Sequence, residues 1–258
     1  MPYLMTHKGK LFDVEDAFEI LLDYNAIFIG EEHDSRISHD AELTILKGLA
    51  ERDSSLVLAL EMFERDVQES LNAYLKGEIS ENRFLEQARP WPNYSEDYRP
   101  LVEFAKTKAI PVIAANIPRR TASAVATANR IALVVLGEDR IYLPKLLHLD
   151  SKKYYKLFMT TMEQVPYSEP MGRLNPKGLY KAQVLKDAVM AASIEPFLDQ
   201  HILFCCGHFH SDYHLGIPYQ LQKNHPGLKM AVITMAAAVE DLPMKDRSRI
   251  GDFIWINE

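Results

Sequence analysis

The stretch AIFIGEEHDSRISHD, residues 26–40, passes from a short apolar run into a dense set of ionisable side chains and then into a helical pattern. AIFIG has the length and the aromatic and β-branched content of a strand covered on both faces. Glu31, Glu32 and His33 follow at its end. Asp34 and Ser35 are good N-cap types, and Leu43, Leu46 and Leu49 then recur on one helical face. A buried strand, a polar turn and a helix make the opening half of a βαβ unit. His39, six residues beyond His33, is expected on the surface of that helix.

The same pattern repeats outward. SLVLALEM (55–62), IPVIAANI (110–117), ILFCCG (202–207) and KMAVITMAA (229–237) read as further buried strands, with DFIWI (252–256) as an edge strand. SEDYRPLVEFAKTK and NPKGLYKAQVLKDAVMAASIEPFL carry helical periodicity between them. The expected fold class is α/β: a mainly parallel central sheet flanked by helices, with helical insertions near residues 65–109 and 121–176. No repeat or linker divides the 258 residues, so one domain over 1–258 is expected.

Bulk composition removes several function classes. The net charge is −7 and no basic run is longer than a few residues, so nucleic acid is not an expected partner. The two cysteines, Cys205 and Cys206, are adjacent, which rules out a disulfide framework. No apolar run approaches the 18 residues of a membrane span. The first ten residues, MPYLMTHKGK, contain no hydrophobic signal core. Motifs for nucleotide binding, serine hydrolases and the common zinc proteases are missing.

In open α/β sheets, ligands bind beyond the carboxyl ends of the strands. The first buried strand brings Glu31, Glu32 and His33 to that edge, and the second brings Glu61. The third leads to Asn116, Arg119 and Arg120, and the fourth to His210. GEEH (Gly30 to His33) and GHFH (Gly207 to His210) share a spacing in which glycine ends the strand and an imidazole follows three residues later. Glycine permits a sharp turn and close approach of a ligand. Imidazole serves as a base near neutral pH or as a metal ligand. The candidate cleft cluster is therefore Glu31, Glu32, His33, Glu61, Arg119 and His210. Within it His33, His210 and Glu61 are the metal-ligand candidates. Gly30, Asn116, Arg120, Gln183, Asp187 and Gly207 are expected to support the cluster; Gln183 and Asp187 are four apart and share a helical face. Arg119 and Arg120 read equally as a solvated pair, an anion site, or partners of a carboxylate from another loop. His208 follows the same strand as His210 but stands outside the shared glycine–histidine spacing, and His214 is assigned to a surface helix start. RPWPNYSEDYRPL (89–101) reads more as a packed connection than as a ligand wall.

The blocks IFIGEEHDSRISH, LALEMFERDVQESLNAYLKGEIS, RPWPNYSEDYRPLVEFAKTKAIPVIAANIPRR, AQVLKDAVMAASI and GHFHSDYHLGIP together resemble the ChaN-like family of the haem-binding uptake and Tiki superfamily. The resemblance implies an α/β fold with added helices, haem as cofactor, a role in haem or iron uptake, and a lipid-anchored envelope protein that pairs as a homodimer. The N-terminus carries no lipobox cysteine, so a cytoplasmic location stands beside the envelope location. Haem ligation by tyrosine is part of the implication: Tyr213 matches a tyrosine typical of its loop, and Tyr154, Tyr155 and Tyr180 are further candidates in a tyrosine-rich region. The wider superfamily implies the second reading, a metal-dependent hydrolase of peptidase or esterase type. It would use Gly30, His33, Gly207 and His210 with a glutamate and a divalent metal.

Overall fold

The computed structural model describes residues 3–6, 9–131, 137–164, 175–236 and 249–256. In chain order the elements are β1 (Tyr3–Thr6), β2 (Leu11–Asp13), α1 (Val14–Leu21), β3 (Ala26–Glu31), α2 (Arg36–Ala50), β4 (Val57–Glu64), α3 (Gln68–Leu75), α4 (Glu81–Ala88) and α5 (Arg99–Lys108). β5 (Val112–Asn116), α6 (Arg119–Ala128), α7 (Lys152–Gln164), α8 (Pro176–Ile194), β6 (Ile202–Gly207), α9 (Ile217–Asn224), β7 (Met230–Ala236) and β8 (Phe253–Ile256) follow.

The eight strands among the described residues form one sheet, in the order β2-β1-β8-β7-β3-β6-β4-β5. The six from β8 to β5 are parallel, and β1 and β2 add an antiparallel ribbon at one edge. The α/β class, with a mainly parallel sheet, is as the sequence predicts. DFIWI is not an edge strand, however: β1 pairs along the outer side of β8. The two N-terminal strands escape the sequence reading because they are only four and three residues long, too short for a period-2 pattern to stand out.

Alternation along the strands explains why they read as unbroken apolar runs. Ile27, Ile29, Leu58, Leu60, Leu203 and Cys205 enter a core shared with α1 to α5. Ala26, Phe28, Val57, Ala59, Phe204 and Cys206 enter a second core against α8 and α9. Successive side chains point to opposite faces, so the adjacent cysteines lie in different layers, both buried. Each fully buried Leu or Ile contributes about 1.5–3 kcal/mol.

Local signals fix the helix starts. Ser35 caps α2 by accepting from the Ser38 N–H, and Asn175 caps α8 with Pro176 in its first turn. Helices α8 and α6 touch through Gly178, where a Cβ would stand 2.1 Å from the Ala126 carbonyl oxygen. Strand β5 is the free parallel edge. The Gln68 side chain covers it like a short strand: its Nε2 donates to the Val112 carbonyl (2.9 Å), and its Oε1 accepts from the Ala114 N–H (2.7 Å).

Candidate active site

Parallel register places the ends of β3 and β6 side by side, with Glu31 opposite Gly207. Strand β4 pairs along β6 and brings Glu61 to the same end. After Gly207 the chain makes a 3-10 turn over His208–His210, and α8 crosses above it with Gln183 and Asp187. Glu31, Glu61, Gly207, His208, His210 and Gln183 border a cleft of about 580 Å³, together with Trp91 from the loop before α5 and Phe158 and Met162 from α7.

Two imidazoles in this cleft are held in different ways. His33 is half exposed, and its Nδ1 lies 2.6 Å from Glu31 Oε1. Glu31 is fully buried. Burial alone would raise its pKa, but hydrogen bonds from His33 and Tyr98, with the nearby His39, outweigh it and hold the carboxyl down at about 2. An ionised carboxylate can only accept, so the shared proton sits on His33 Nδ1. In the neutral ring Nε2 is then a free base. The Trp91 ring meets the imidazole edge-on, with centroids 4.8 Å apart.

His210 is buried and clamped at both nitrogens. Its Nδ1 is 2.5 Å from Asp187 Oδ1 and its Nε2 is 3.2 Å from Glu61 Oε1. The Gln183 amide nitrogen packs 3.2 and 3.3 Å from the two ring nitrogens. Burial opposes the charge on His210, but Glu61 and Asp187 push its pKa up to about 9. Glu61 also accepts the Gly207 N–H at 2.9 Å. Its own burial is overcome by His210, then by Lys186 and His33, and its pKa is held at about 2. Burial moves the Asp187 carboxyl upward, against the pull of His210.

Glycine at position 207 is required by close approach. An added Cβ would lie 2.7 Å from His33 Cε1 and 2.9 Å from its Nε2. At Gly30 it would meet Ser211 Oγ at 2.8 Å. The paired glycine-and-histidine loops thus pack against each other.

Of the sequence-predicted residues, Glu31, Glu32, His33, Glu61, His210, Gln183 and Gly207 border the cleft. Asp187 lies behind His210, and Gly30 packs against the Ser211 turn. Three predicted members stand elsewhere. Arg119 is exposed at the start of α6 and does not border the cleft. Arg120 pairs with Asp66 (2.8 Å) and Asp139 (2.5 Å), the loop-carboxylate alternative among those expected of it. Asn116 is buried where β5 pairs with β4 at Glu64, and its Oδ1 has no partner. Strand β5 is therefore the one of the four that does not reach the cleft. His208 borders it, tied to Asp212 at 3.0 Å; His214 pairs with Asp252 outside.

The metal triad expected from His33, His210 and Glu61 does not fit. Their donor atoms do not gather within the span of one ion's ligands. The one group of three donors found close together among the described residues is Glu31, His39 and Glu42. His39 overturns its expected place on the helix surface. It is buried under the first turn of α2, and its Nδ1 lies 3.3 Å from Glu31 Oε2 and 3.2 Å from Glu42 Oε2. Burial works against its charge, but Glu31 and Glu42 raise its pKa to about 10. Burial, reinforced by Glu31, raises Glu42 well above the usual carboxylate range. One sequence signal was available. His39, Glu42, Leu46 and Leu49 form a single helical stripe, so two polar residues stand on a face meant for burial.

The tyrosines divide as well. Tyr154 and Tyr180 are core residues, stacked edge-on against each other. Tyr155 is exposed. Tyr213 is half buried beside a second, smaller cavity of about 250 Å³ that shares Glu32, Thr161, His208 and Phe209 with the cleft. From 89–101, Tyr94 and Tyr98 are packed in the core as expected of a connection, but Trp91 walls the cleft. No described helix is long and apolar enough to cross a membrane.

Residues 17–221 match the family described as haem-binding uptake, Tiki superfamily, ChaN. Over the whole chain, the structure is similar to ChaN of Campylobacter jejuni, reported with cofacial haem binding: TM-score 0.76, 20% identity, covering 100% of this chain and 97% of that one. The type III effector HopBA1 is more distant, with TM-score 0.53 and 11% identity over 94% of this chain and 91% of that one. Likeness at these identities shows the fold. In sequence the chain is similar to Protein RETICULATA-RELATED 5, chloroplastic, of Arabidopsis thaliana, at 23% identity over 94% of this chain. It spans 35% of that relative's length. The family match covers well over half of the chain, which belongs to the haem-binding uptake, Tiki superfamily, ChaN family.

Proposed function

We propose that this member of the haem-binding uptake, Tiki superfamily, ChaN family is a hydrolase of esters or amides whose cleft activates water with His33. The observation that carries this reading is the Glu31–His33 pair: a buried, ionised carboxylate fixes Nδ1–H and leaves Nε2 as a base beside Glu61 and His210. In this arrangement Nε2 takes a proton from water as the oxygen attacks a substrate carbonyl, and the imidazolium returns it to the leaving oxygen or nitrogen. Lys186 and Gln183 border the same cleft and are the donors available to the developing oxyanion. Glu61, anchored by the Gly207 N–H, keeps His210 charged and the cleft floor rigid.

The test is a panel of chromogenic esters and fluorogenic peptides, run with wild type, His33→Ala and His210→Ala. The reading expects at least one substrate to be turned over by wild type and a loss of about 10²–10⁴-fold in His33→Ala, the range of general-base catalysis. A panel untouched by wild type, or cleaved equally by the His33 variant, refutes it.

The family match favours a second reading, haem binding with a role in haem or iron uptake. The apolar side of the cleft, from Trp91, Phe158, Met162 and Phe209, suits a flat macrocycle. Tyr154 and Tyr180 do not fit as axial ligands, because their rings are buried in the core. His33 and Tyr213 are the candidates that face a cavity. Bound haem would supply an iron centre, and these residues would orient it. Titration with haemin should give a saturable Soret shift that weakens in His33→Ala or Tyr213→Phe; a response identical to haemin in buffer rejects this reading.

A further inference from the structure

Glu31, His39 and Glu42 form a buried constellation behind the cleft that the hydrolytic reading uses only through one oxygen of Glu31. Glu31 Oε1 is taken by His33 and by the Tyr98 hydroxyl, at 2.6 and 2.8 Å. Its other oxygen, Oε2, is buried, makes no hydrogen bond, and lies 3.3 Å from His39 Nδ1. Glu42 Oε2 lies 3.2 Å from the same nitrogen. Glu42 is fully buried, and its Oε1 has no partner.

His39 Nδ1 stands from the two carboxylate oxygens at the separation of neighbouring ligands around one ion. Donors about 2.0–2.1 Å from a tetrahedral ion stand about 3.3–3.4 Å from one another. The three donor atoms lie within 4.8 Å of one another, and no other such group of three occurs among the described residues. The outer contacts also match. Metal-bound histidine commonly gives its second ring N–H to a carbonyl, which fixes the tautomer. His39 Nε2 is 3.2 Å from the His33 carbonyl oxygen, an arrangement that leaves Nδ1 facing the two carboxylates. The Tyr98 hydroxyl and the Tyr98 ring, edge-on to His39 at 4.9 Å, hold both ligands in place.

The geometry points to a buried site for a divalent first-row cation, with Glu31 Oε2, His39 Nδ1 and Glu42 Oε2 as ligands. Mixed imidazole and carboxylate donors suit Zn²⁺, Mn²⁺ or Fe²⁺. Glu31 would bridge the ion and His33, so that the ion fixes the carboxylate which orients the cleft base. The site does not depend on the hydrolytic reading and is tested without a substrate.

Protein stripped with chelator is titrated with Zn²⁺ and separately with Mn²⁺ by equilibrium dialysis, with folding checked by circular dichroism. One ion per chain is expected to bind wild type and His210→Ala alike. Glu42→Gln should lose at least about 100-fold in affinity, the upper end of what even a supporting residue costs. If Glu42→Gln does not fold, His39→Gln takes its place. Anomalous diffraction from metal-soaked wild-type crystals decides the location independently of any variant: a peak about 2.0–2.2 Å from the three named atoms is expected. Failure of wild type to bind either ion stoichiometrically, unchanged affinity in the ligand variant, or a peak placed between His33 and His210 overturns the proposal. If the metal is found here but the ester and peptide panel stays uncleaved, the hydrolytic reading alone falls.

Discussion

Gly207→Ala isolates the position of His33 from its chemistry. Gly207 has φ −57° and ψ 139°, which any residue adopts, so alanine brings no backbone strain. Its Cβ, however, would stand 2.7 Å from His33 Cε1 and 2.9 Å from Nε2. Carbon atoms in contact prefer about 3.5–4.0 Å, so the imidazole must retreat by about 1 Å. It can do so, because its side chain is 46% exposed. Glu61 Oε2 would lie at 3.7 Å, an ordinary contact, and the Gly207 N–H to Glu61 bond survives. A misplacement of about 1 Å costs about 10²-fold in rate, or about 2.7 kcal/mol in the barrier. Stability should change little: about 1 kcal/mol corresponds to roughly 2–4 °C in Tm at this chain length. The assay is kcat/KM on any panel substrate that wild type cleaves, with a thermal melt. Gly227→Ala, whose Cβ meets nothing within 4 Å, serves as control. A folded Gly207→Ala protein with kcat/KM within twofold of wild type would refute the positional argument.

Three further outcomes follow from the same packing. Stability should fall on both sides of a plateau near pH 5–6. Glu61, held at about 2 against an ordinary 4.5, contributes above pH 4.5 and loses that contribution as pH drops through 2. His210, raised to about 9 against 6.5, contributes below pH 6.5 and loses it as pH rises through 9. Urea titrations of His210→Gln should lack much of the alkaline limb; an unchanged limb would assign it to other groups. Gly216→Ala should lower Tm by roughly 5–15 °C, because φ is +64° and the Cβ would stand 2.3 Å from the His210 carbonyl oxygen; a melt within 2 °C of wild type would contradict this. Gln68→Ala removes both hydrogen bonds that cover the β5 edge and should cost about 1–3 kcal/mol while promoting self-association by light scattering. A variant as stable and monodisperse as wild type would show that the edge needs no cover.

The parallel sheet was legible because its strands are buried on both sides, which leaves an unbroken apolar signature at AIFIG and ILFCCG. Site residues were legible where the rule that ligands gather at carboxyl ends of strands applies directly, as for Glu31, His33, Glu61 and His210. The same rule placed Arg119 and Asn116 wrongly, since β5 is the outer parallel strand and its end lies away from the cleft. His39 was misplaced for a different reason. Distance from the strand end suggested a surface position, but one helical turn folds back over Glu31, and only the polar pair on the buried stripe of α2 hinted at it. Trp91, Phe158 and Lys186 come from loops and helices distant in sequence, and their meeting at the cleft depends on packing that no local pattern encodes.

The central physical claim is that Glu31 holds His33 with Nδ1 protonated and Nε2 free toward the cleft. Nitrogen-15 NMR of histidine-labelled protein reads this directly, with His33→Gln used to assign the signal. In the neutral ring Nδ1 is expected to be protonated and Nε2 unprotonated, with that preference lost in Glu31→Gln. A His33 that carries its proton on Nε2, or whose tautomer is indifferent to Glu31, would contradict the account.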